Sequence, residues 1–387
     1  MMEPKIRFKG FEGEWKAPLF SEMVERISAS GQAGMLPGVE FEDIASGEGC
    51  FNKNIYQKEC HKYGKLFYEG DILFGKLRPY LKNIILADFN GVAIGDFWVL
   101  RSKGLDEKYL YTLVNSESFL KVANISSGSK MPRADWNLVS TTKFVVPSAK
   151  DEQKAIGKYF TSLDSQISAS TSRLASLKQM KAASLQAMFP QEGEAVPKIR
   201  FKGFEGEWKK VKLGKLFSER IENNVDGEML SVTMNNGIIK AAENGRFDNS
   251  NSDKSKYKVV KVGDIAYNSM RMWQGASGCS QYEGIVSPAY TVVVPNANIH
   301  SLFFAYLFKT IPMINLFRLH SQGLTKDTWN LKYPAFSIIE VSYPESKAEQ
   351  QAIASYFTSL DRQISLQSQR LEKLKQIKSA CLDKMFV

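Results

Sequence analysis

Two segments of the chain carry apolar side chains at the alternating three- and four-residue spacing of one helical face. They are residues 152–189 and 349–386, and neither contains a proline. Part of the stripe in each falls on a seven-residue grid, occupied by Phe160, Ile167, Leu174 and Met188 in the first and by Phe357, Ile364, Leu371 and Met385 in the second. The pattern predicts two helices of about 38 residues, each roughly 57 Å long.

Start signals precede both predicted helices. Each follows a proline, Pro147 or Pro344. Ser346 with Glu349 forms a capping box, and Ser148 with Asp151 is a weaker equivalent.

An apolar stripe on so long a helix has to be covered by another surface. The most economical cover is the other helix, so we expect an antiparallel coiled coil that relates the two halves by a pseudo-twofold axis and places their intervening domains at opposite ends. The predicted helix-pairing residues are Phe160, Leu163, Ile167, Leu174, Leu177, Phe357, Leu360, Ile364, Leu371 and Leu374. The alternative is that each helix packs on its own domain.

The remaining segments alternate between short apolar runs and helical intervals. Runs such as GDILFG, NIILADFNGVAIGDFWVLRS and GIVSPAYTVVVP are bounded by turn residues and predict strands. Helical spacing follows in DEKYLYTLVNSESFLKVA and HSLFFAYLFKTIPMINLF. The fold class predicted for these domains is therefore α+β.

The chain contains an internal duplication. The 13 residues PKIRFKGFEGEWK occupy positions 4–16 and recur unchanged at 197–209, and 23 of 38 positions are identical between the two predicted helices. Between these blocks only sparse landmarks agree, namely a Gly-Asp-Ile, an Arg and a Trp-Asn-Leu, all 193 positions apart. Near-identical blocks that bracket dissimilar ones indicate a constant frame around two variable domains.

These boundaries predict four parts. Residues 1–147 form a first domain that includes the first 13-residue repeat, and residues 148–190 form the first helical spacer. Residues 191–344 contain a linker, the second repeat and the second domain, and residues 345–387 form the second spacer.

Composition and charge set limits on function. The 387 residues carry 51 Lys plus Arg and 41 Asp plus Glu, a net charge of +10 that favours a polyanionic partner such as nucleic acid. No apolar stretch is long enough for a membrane span, and the first residues lack the apolar centre of a signal peptide. We expect a soluble cytoplasmic protein with no membrane partner.

Catalytic and metal-binding motifs are missing from the sequence. It has no GxxxxGKS or GxxxxGKT phosphate loop and no Asn-Pro-Pro-Tyr or Asp-Pro-Pro-Tyr run, and its four cysteines form no CxxC pair. Glu152 and Glu345 each begin a Glu-x-Lys run of the kind that nucleases use, but both lie at predicted helix starts, where acidic residues are common. We predict no catalytic residue, no metal and no cofactor.

Each variable domain has two presumed loops that combine basic, amide and aromatic side chains. Such side chains can bond base edges and phosphates of DNA. The candidate DNA-binding residues are Lys76, Arg78, Tyr80, Lys82, Ser129, Lys130 and Arg133 in the first domain, and Asn268, Arg271, Trp273, Gln274, Gln322, Thr325 and Lys326 in the second. For any one of them a solvated loop residue is the simpler interpretation, but their matching positions in both halves favour the loops as a class.

The duplicated arrangement of repeat, variable domain and helical tail, with EQxAI, F, LD, LK and MF in fixed order in both tails, resembles the specificity subunit of type I restriction-modification systems. The resemblance covers the whole chain. It implies a non-catalytic subunit with two target-recognition domains, each of which reads one half of a bipartite double-stranded DNA site, while the two helices set the gap and dock methyltransferase subunits.

In that family, two modification subunits perform adenine-N6 methylation and two restriction subunits perform ATP-dependent cleavage, so these are the protein partners that the resemblance implies. The alternative function is a coiled-coil adaptor that pairs protein partners without binding DNA. A nuclease that uses Glu152 and Glu345 is a third hypothesis.

Overall fold

The computed structural model describes residues 4–34, 36–125, 131–244 and 253–386. It divides the chain into two compact units. Unit 1 comprises residues 1–174 and 367–387, and unit 2 comprises residues 175–366. Each unit therefore contains one variable domain and parts of both long helices.

In unit 1, the helices and strands agree with the α+β prediction. They run in the order β1 (Trp15–Lys16), α1 (Phe20–Met23), β2 (Val24–Ile27), β3 (Ser30–Gln32), β4 (Gly38–Val39), β5 (Ile44–Ala45), β6 (Cys50–Phe51), β7 (Tyr63–Phe67), β8 (Ile72–Gly75), β9 (Ile84–Leu86), β10 (Gly91–Ala93), β11 (Phe97–Ser102), α2 (Glu107–Val114), α3 (Glu117–Ala123), α4 (Trp136–Thr141), β12 (Val146–Pro147) and α5 (Lys150–Ala187). Helix α5 extends beyond residue 174 into unit 2.

In unit 2, the same alternation of strands and short helices precedes the second long helix. The elements are β13 (Lys209–Lys212), β14 (Phe217–Glu219), β15 (Leu230–Thr233), β16 (Gly237–Lys240), β17 (Lys258–Val260), β18 (Ile265–Asn268), β19 (Ser277–Cys279), β20 (Gly284–Val286), β21 (Tyr290–Pro295), α6 (Ser301–Leu307), α7 (Ile311–His320), α8 (Tyr333–Ser337), β22 (Glu340–Tyr343) and α9 (Lys347–Met385). Helix α9 continues beyond residue 366 into unit 1.

The central sheet of each unit has four antiparallel strands in the same relative order. The order is β2-β11-β8-β9 in unit 1 and β14-β21-β18-β19 in unit 2. Strands β8 to β11 begin 193 residues before β18 to β21, so the spacing of the sequence landmarks is also the spacing of the sheets. The shared order confirms that the two variable domains are copies of one fold.

The Gly-Asp-Ile landmark lies at the start of β8 and β18 and contributes a buried aspartate to an ion pair in each unit. Asp71 accepts two hydrogen bonds from Arg101, at 2.7 and 2.6 Å, and Asp264 accepts two from Arg220, at 2.7 and 2.9 Å. Arg101 lies in β11, whereas Arg220 directly follows β14. An arginine thus neutralises the equivalent aspartate in both central sheets, although the arginine occupies a different place in each unit.

The second sheet has diverged between the units. Unit 1 has four strands in the order β3-β7-β10-β4, whereas unit 2 has the two-stranded pairs β17-β20 and β15-β16. The apolar side chains beneath them form separate small clusters beside the main core of each unit. The two units therefore differ in their second sheet. The apolar residues of that sheet lie outside the main core clusters, which include residues of the long helices.

The long helices are paired antiparallel through a seam with strict three-four spacing. In unit 1 the beginning of α5 contacts the end of α9: the ring centroids of Phe160 and Phe386 are 6.1 Å apart, and Lys378 binds Asp164 at 2.5 Å. Unit 2 repeats this arrangement with the roles of the helices exchanged, since Lys181 of α5 binds Asp361 of α9 at 2.5 Å. The predicted antiparallel pairing of the two helices is confirmed.

All positions of this seam are buried or half-buried. On α5 and the residue after it they are Phe160, Leu163, Ile167, Ser170, Leu174, Leu177, Lys181, Ser184 and Met188, and on α9 they are Phe357, Leu360, Ile364, Gln367, Leu371, Leu374, Lys378, Cys381 and Met385. Every predicted helix-pairing residue occupies one of these positions, and the contact of each side chain across the helices stays a prediction. Its polar members are bonded across the helices, as where the Gln367 side chain donates to the carbonyl of Ser170 at 3.2 Å. Polar seam positions favour one register over others.

The 13-residue repeats are attached to the helices by a buried ion pair. Arg7 binds both oxygens of Glu152 at 2.7 and 2.8 Å, and Arg200 binds both oxygens of Glu349 at the same two distances. The glutamates are almost completely buried, at 1% and 2% side-chain exposure. A helix-start role for Glu152 is therefore only half of the explanation, because its carboxylate also holds the repeat against the helix.

The glutamine after each of these glutamates bonds the variable domain to the helix. Gln153 accepts a hydrogen bond from the backbone of Asp106 and donates to the carbonyl of Pro147. Gln350 makes the equivalent bonds with His300 and with Pro344. In both tails the glutamate thus bonds the 13-residue repeat to the helix, and the glutamine after it bonds the variable domain.

The predicted helix caps are only partly present. Helix α9 has the first half of its box, because the Ser346 hydroxyl accepts a bond from the backbone of Glu349, whose carboxylate binds Arg200 instead of closing the box. The weaker box before α5 was wrong: the Ser148 hydroxyl donates to the carbonyl of Glu14. The four predicted domain boundaries stay a prediction, since the compact units divide each helix near its middle.

No single helix in the described ranges is long and apolar enough to cross a membrane. The consecutive pair α6 and α7 reaches the required composition only when taken together, and the two helices are bent by 82° at the break between them.

A half-buried lysine, Lys309, at the break between α6 and α7 holds two turns of unit 2 together. The ammonium group of Lys309 donates to the carbonyls of Met234, in the turn between β15 and β16, and of Gly275. Burial, and secondarily the charge of Lys181, lower the pKa of Lys309 to about 8.

We expect Arg200→Ala to lower the free energy of unfolding by about 3–5 kcal/mol, because it leaves the buried carboxylate of Glu349 without a cation. Urea denaturation of the full chain measures this. The control is Lys209→Ala, which breaks an exposed ion pair with Glu345 in the same repeat and should cost less than about 1 kcal/mol. Equal effects of the two substitutions would contradict the role given to the buried pair.

We expect the stability of the protein to rise with pH above about 8 because of Lys309. Its ordinary pKa is 10.5 and its folded pKa is about 8. Between these values the unfolded chain binds more protons, so raising the pH favours the folded state. The measurement is the difference in free energy of unfolding between the wild type and Lys309→Met from pH 7 to 10. A difference that does not change over this range would refute the assignment.

Candidate nucleic-acid interface

In unit 1 the two predicted DNA-binding loops lie side by side. The first follows β8 and spans residues 76–82, and the second precedes α4 and ends in residues 131–135. The backbone of Arg78 donates to the carbonyl of Pro132, and the backbone of Ala134 donates to the carbonyl of Lys76, both at 2.8 Å. Segments about 55 positions apart in the chain therefore form one continuous surface, which we call the loop surface of unit 1.

An aspartate fixes the basic side chains of this surface. Lys76 and Arg133 both bind Asp96, at 3.2 and 3.1 Å. Although burial raises its pKa, the hydrogen bonds from Arg133 and Lys76 have the greater combined effect, and the pKa of Asp96 lies below its ordinary value. The carboxylate stays ionised and orients the two cations.

The loop after β8 has an unusual backbone. Arg78 and Lys82 have φ angles of 51° and 53°, and they are the two non-glycine residues with positive φ in the part of the chain that the structure describes. They flank a short 3-10 turn that begins at Pro79 and carries the exposed ring of Tyr80 at its tip. Left-handed backbone costs energy in non-glycine residues and is concentrated at functional sites, where surrounding contacts maintain it.

Unit 2 forms its loop surface from the corresponding segments, residues 268–275 and 321–331. The backbone of Leu331 donates to the carbonyl of Ser269 at 2.8 Å. The rings of Trp273 and Trp329 meet edge to face, with their centroids 5.3 Å apart. The same pairs of loops therefore come together in both units, although the contacts that join them differ.

The structure brings all the described candidate residues onto these two surfaces. Exposed among them are Arg78, Tyr80, Arg133, Gln274, Gln322, Thr325 and Lys326, and half-buried are Lys76, Lys82, Asn268, Arg271 and Trp273. Ser129 and Lys130 lie outside the described residues. Contact of these side chains with DNA stays a prediction.

Two features of these surfaces were missed by sequence reasoning. The guanidinium of Arg26, an exposed residue of β2, lies 4.7 Å from the ring centroid of Trp136, a favourable cation-π distance. Leu324 and Met131 are exposed apolar residues within the predicted loops. The constant offset of 193 pairs Leu324 with Met131 and could have revealed them, whereas no local pattern brings Arg26 to Trp136.

The units also differ beside their helix seams. In unit 2 the Tyr306 hydroxyl donates to Asp361 at 2.9 Å. In unit 1 the corresponding oxygen of Asp164 is buried and has no hydrogen-bond partner among the described residues. A cavity of about 640 Å³ opens beside it, between the turn after β5 and the two helices. Burial raises the pKa of Asp164, and Lys378 opposes this effect.

Within the described ranges no group of three or more His, Cys, Asp and Glu side chains could hold a metal ion. Both glutamates of the nuclease hypothesis are engaged in ion pairs. Glu152 is occupied by Arg7, and Glu345 is an exposed partner of Lys209.

Comparison with known proteins identifies relatives of this arrangement. Residues 205–376 match the sequence model of a family described as type I restriction modification DNA specificity domain. Over 120 residues the chain is 24% identical to the type I restriction enzyme EcoDI specificity subunit of Escherichia coli. That alignment covers 29% of this chain and 27% of the relative, so the match spans about a quarter of the relative's length.

A solved structure shares the fold of this chain. The S subunit of a type I restriction-modification system from M. genitalium has a TM-score of 0.64 at 15% identity, over 100% of this chain and 99% of that one. The HsdS subunit from Thermoanaerobacter tengcongensis, with a TM-score of 0.45 at 18% identity, covers 100% and 99% of the two chains. With the duplicated frame and the shared fold in place, the match of residues 205–376 to this specificity domain confirms the resemblance to specificity subunits of type I restriction-modification systems that the sequence predicted.

Proposed function

We propose that this chain is the DNA-recognition subunit of a type I restriction-modification complex, and that each unit reads one half of a bipartite double-stranded target. The observation that carries the proposal is the repeated loop surface. Two copies of one fold each bring a pair of basic and aromatic loops together, and the loops differ in sequence while the 13-residue repeats and most positions of the long helices agree. A DNA site with two different halves requires two different recognition surfaces on one common framework.

The side chains on the loop surfaces have the chemistry needed to read DNA. Arginine and lysine bond guanine in the major groove, asparagine and glutamine bond adenine, and hydroxyl groups and further cations hold phosphates. Unit 1 offers mainly cations, held by Asp96, whereas unit 2 also offers the amides of Gln274 and Gln322. This difference in donors and acceptors supports a different half-site for each unit.

The long helices supply the spacing and the docking surface in this proposal. A helix of 38 residues extends for about 57 Å, and the paired seam keeps it rigid. The positions between those of the seam are largely exposed and polar, so they are accessible to partner subunits. We propose that these partners are two modification subunits and two restriction subunits, which supply the methylation and cleavage chemistry, while this chain is not an enzyme and acts in the cytoplasm.

A coiled-coil adaptor without DNA binding is the competing function. It accounts for the helices but gives no reason for a strained, cation-rich loop pair in one unit and its aromatic counterpart in the other.

The decisive experiment expresses the chain with its modification partner and maps methyladenine across the genome by sequencing. A single bipartite motif that disappears when the chain is omitted supports the proposal. Assembly with the partner and no motif-dependent methylation or gel shift would favour the adaptor.

We expect that inserting one heptad into each long helix, after Ser170 and after Gln367, lengthens the gap of the recognised site by about three base pairs. Seven residues add roughly 10.5 Å, and DNA rises about 3.4 Å per base pair. The half-site sequences should not change, because the loop surfaces are untouched. Methyladenine mapping gives both results.

The control inserts five residues at the same two places. Five residues rotate the following apolar positions by about 140° around the helix and off the seam, so this variant should lose stability instead of gaining a longer gap. An unchanged gap in the heptad variant would exclude the helices as the element that sets spacing.

A further inference from the structure

Leu324 is the most exposed large apolar side chain in the described part of the protein, at 101% of its reference area. It lies at the tip of the loop between α7 and α8, on the loop surface of unit 2. Its neighbours Gln322, Thr325, Lys326 and Asp327 are all exposed and polar. Leu324 is therefore an isolated apolar tip, and the surface around it is not an apolar patch.

The loop that carries Leu324 is closed by hydrogen bonds of its own. At its base the backbones of Gln322 and Asn330 exchange two hydrogen bonds, at 3.0 and 2.8 Å. Nearer the tip, the backbone of Thr325 donates to the Thr328 hydroxyl at 3.0 Å, and that hydroxyl donates back to the carbonyl of Thr325 at 2.9 Å. The loop thus holds Leu324 outward without help from its side chain.

A glycine tightens the same loop. Gly323 has a φ of 145°, and a Cβ atom added there would lie 2.6 Å from the carbonyl oxygen of Thr328. The chain can make this close approach only without a side chain at position 323. The projection of Leu324 is therefore built into the backbone.

Unit 1 also has an exposed apolar side chain at the equivalent position. Met131 lies 193 residues before Leu324 and is 49% exposed. In both units a basic residue follows two positions later, Arg133 or Lys326, and a tryptophan five positions later. The residues between these positions differ, so what the two units share is an apolar tip, a cation and an aromatic base.

We propose that Leu324, and Met131 in the other unit, insert as wedges into a base step of the bound half-site, while the neighbouring cation holds the adjacent phosphate. The inference rests on the proposed function and extends it, because it adds reading by deformability to reading by hydrogen bonds. Apolar wedges partly unstack the step that they enter, and pyrimidine-purine steps unstack most easily. Each unit then selects a flexible step at one position of its half-site.

The surroundings of Leu324 favour DNA over a protein partner. A stable protein interface buries on the order of 800 Å² on each side around an apolar centre. One leucine among exposed polar side chains does not provide such a centre. A single apolar side chain is what a wedge at one base step requires, and Lys326, two residues away, is an exposed cation.

The test uses the full chain assembled with its modification partner and duplexes of the mapped target that carry 2-aminopurine at each step of the half-site read by unit 2. Apart from the adenine that the modification partner itself extrudes, we expect wild-type binding to raise fluorescence at one further step. Leu324→Ala should abolish that rise and weaken specific binding by on the order of tenfold. Leu324→Met, which installs the side chain used in unit 1, should restore both. Ile221→Ala, which truncates another highly exposed apolar side chain of unit 2, should change neither.

The outcomes separate the wedge from the proposed function. Failure of the wild-type complex to bind its target selectively would overturn the function and the wedge together. Selective binding with unchanged fluorescence and affinity in Leu324→Ala would overturn the wedge alone. Weaker assembly of Leu324→Ala with the modification subunit in the absence of DNA would identify a protein contact and also overturn it. Since the side chain is fully exposed, the variant is expected to fold.

Discussion

The structure depends on the covering of one apolar stripe by another that is about 200 residues away in the chain. Helices α5 and α9 each have a single apolar face, far too long for one small domain to cover. In unit 1 the first part of α5 is covered by the last part of α9, and in unit 2 the last part of α5 is covered by the first part of α9. Neither unit has a complete core without a helix segment from the other half of the sequence.

This dependence accounts for the near-identity of the two helical segments. Each contact between the helices occurs twice. In unit 1 the first part of α5 contacts the last part of α9, and in unit 2 the first part of α9 makes the equivalent contact with the last part of α5. Asp164 and Asp361 accept from lysines of the partner helix, and Tyr159 and Tyr356 reach Cys381 and Ser184 in the same way. The buried Glu152 and Glu349 add the 13-residue repeats to this frame through Arg7 and Arg200. A substitution at one of these paired positions disturbs a contact that the structure makes in both units.

The variable domains are constrained differently. Their central sheet keeps one strand order and one buried aspartate, but the arginine that neutralises it comes from β11 in one unit and from beside β14 in the other. The second sheet is continuous in unit 1 and reduced in unit 2. Because the domain fold tolerates these differences, the sequences of the loop surfaces can also differ, while the ends of β8 and β18 keep the loops in equivalent positions. Among the described residues, non-glycine positive φ angles occur in one loop, at Arg78 and Lys82, where the contact with Pro132 and the Pro79 turn maintain them.

The sequence by itself determined the duplication, the two long helices, the α+β class and the two loops of each surface, because these follow from local periodicity and from self-comparison. It also gave the correct offset for the strands, since insertions did not accumulate between the landmarks. Only the tertiary structure decided which charges meet. Lys181 interrupts the apolar grid, and its partner Asp361 is 180 positions away. Arg7 and Glu152 are 145 positions apart, and Arg26 reaches Trp136 only because the chain folds back between them. Whether an apolar side chain such as Leu324 is buried or exposed was likewise undetermined by the sequence, since hydrogen bonds and a glycine close the loop around it. Pairing of charges and exposure of a side chain depend on distances between remote segments, and no local pattern encodes those distances.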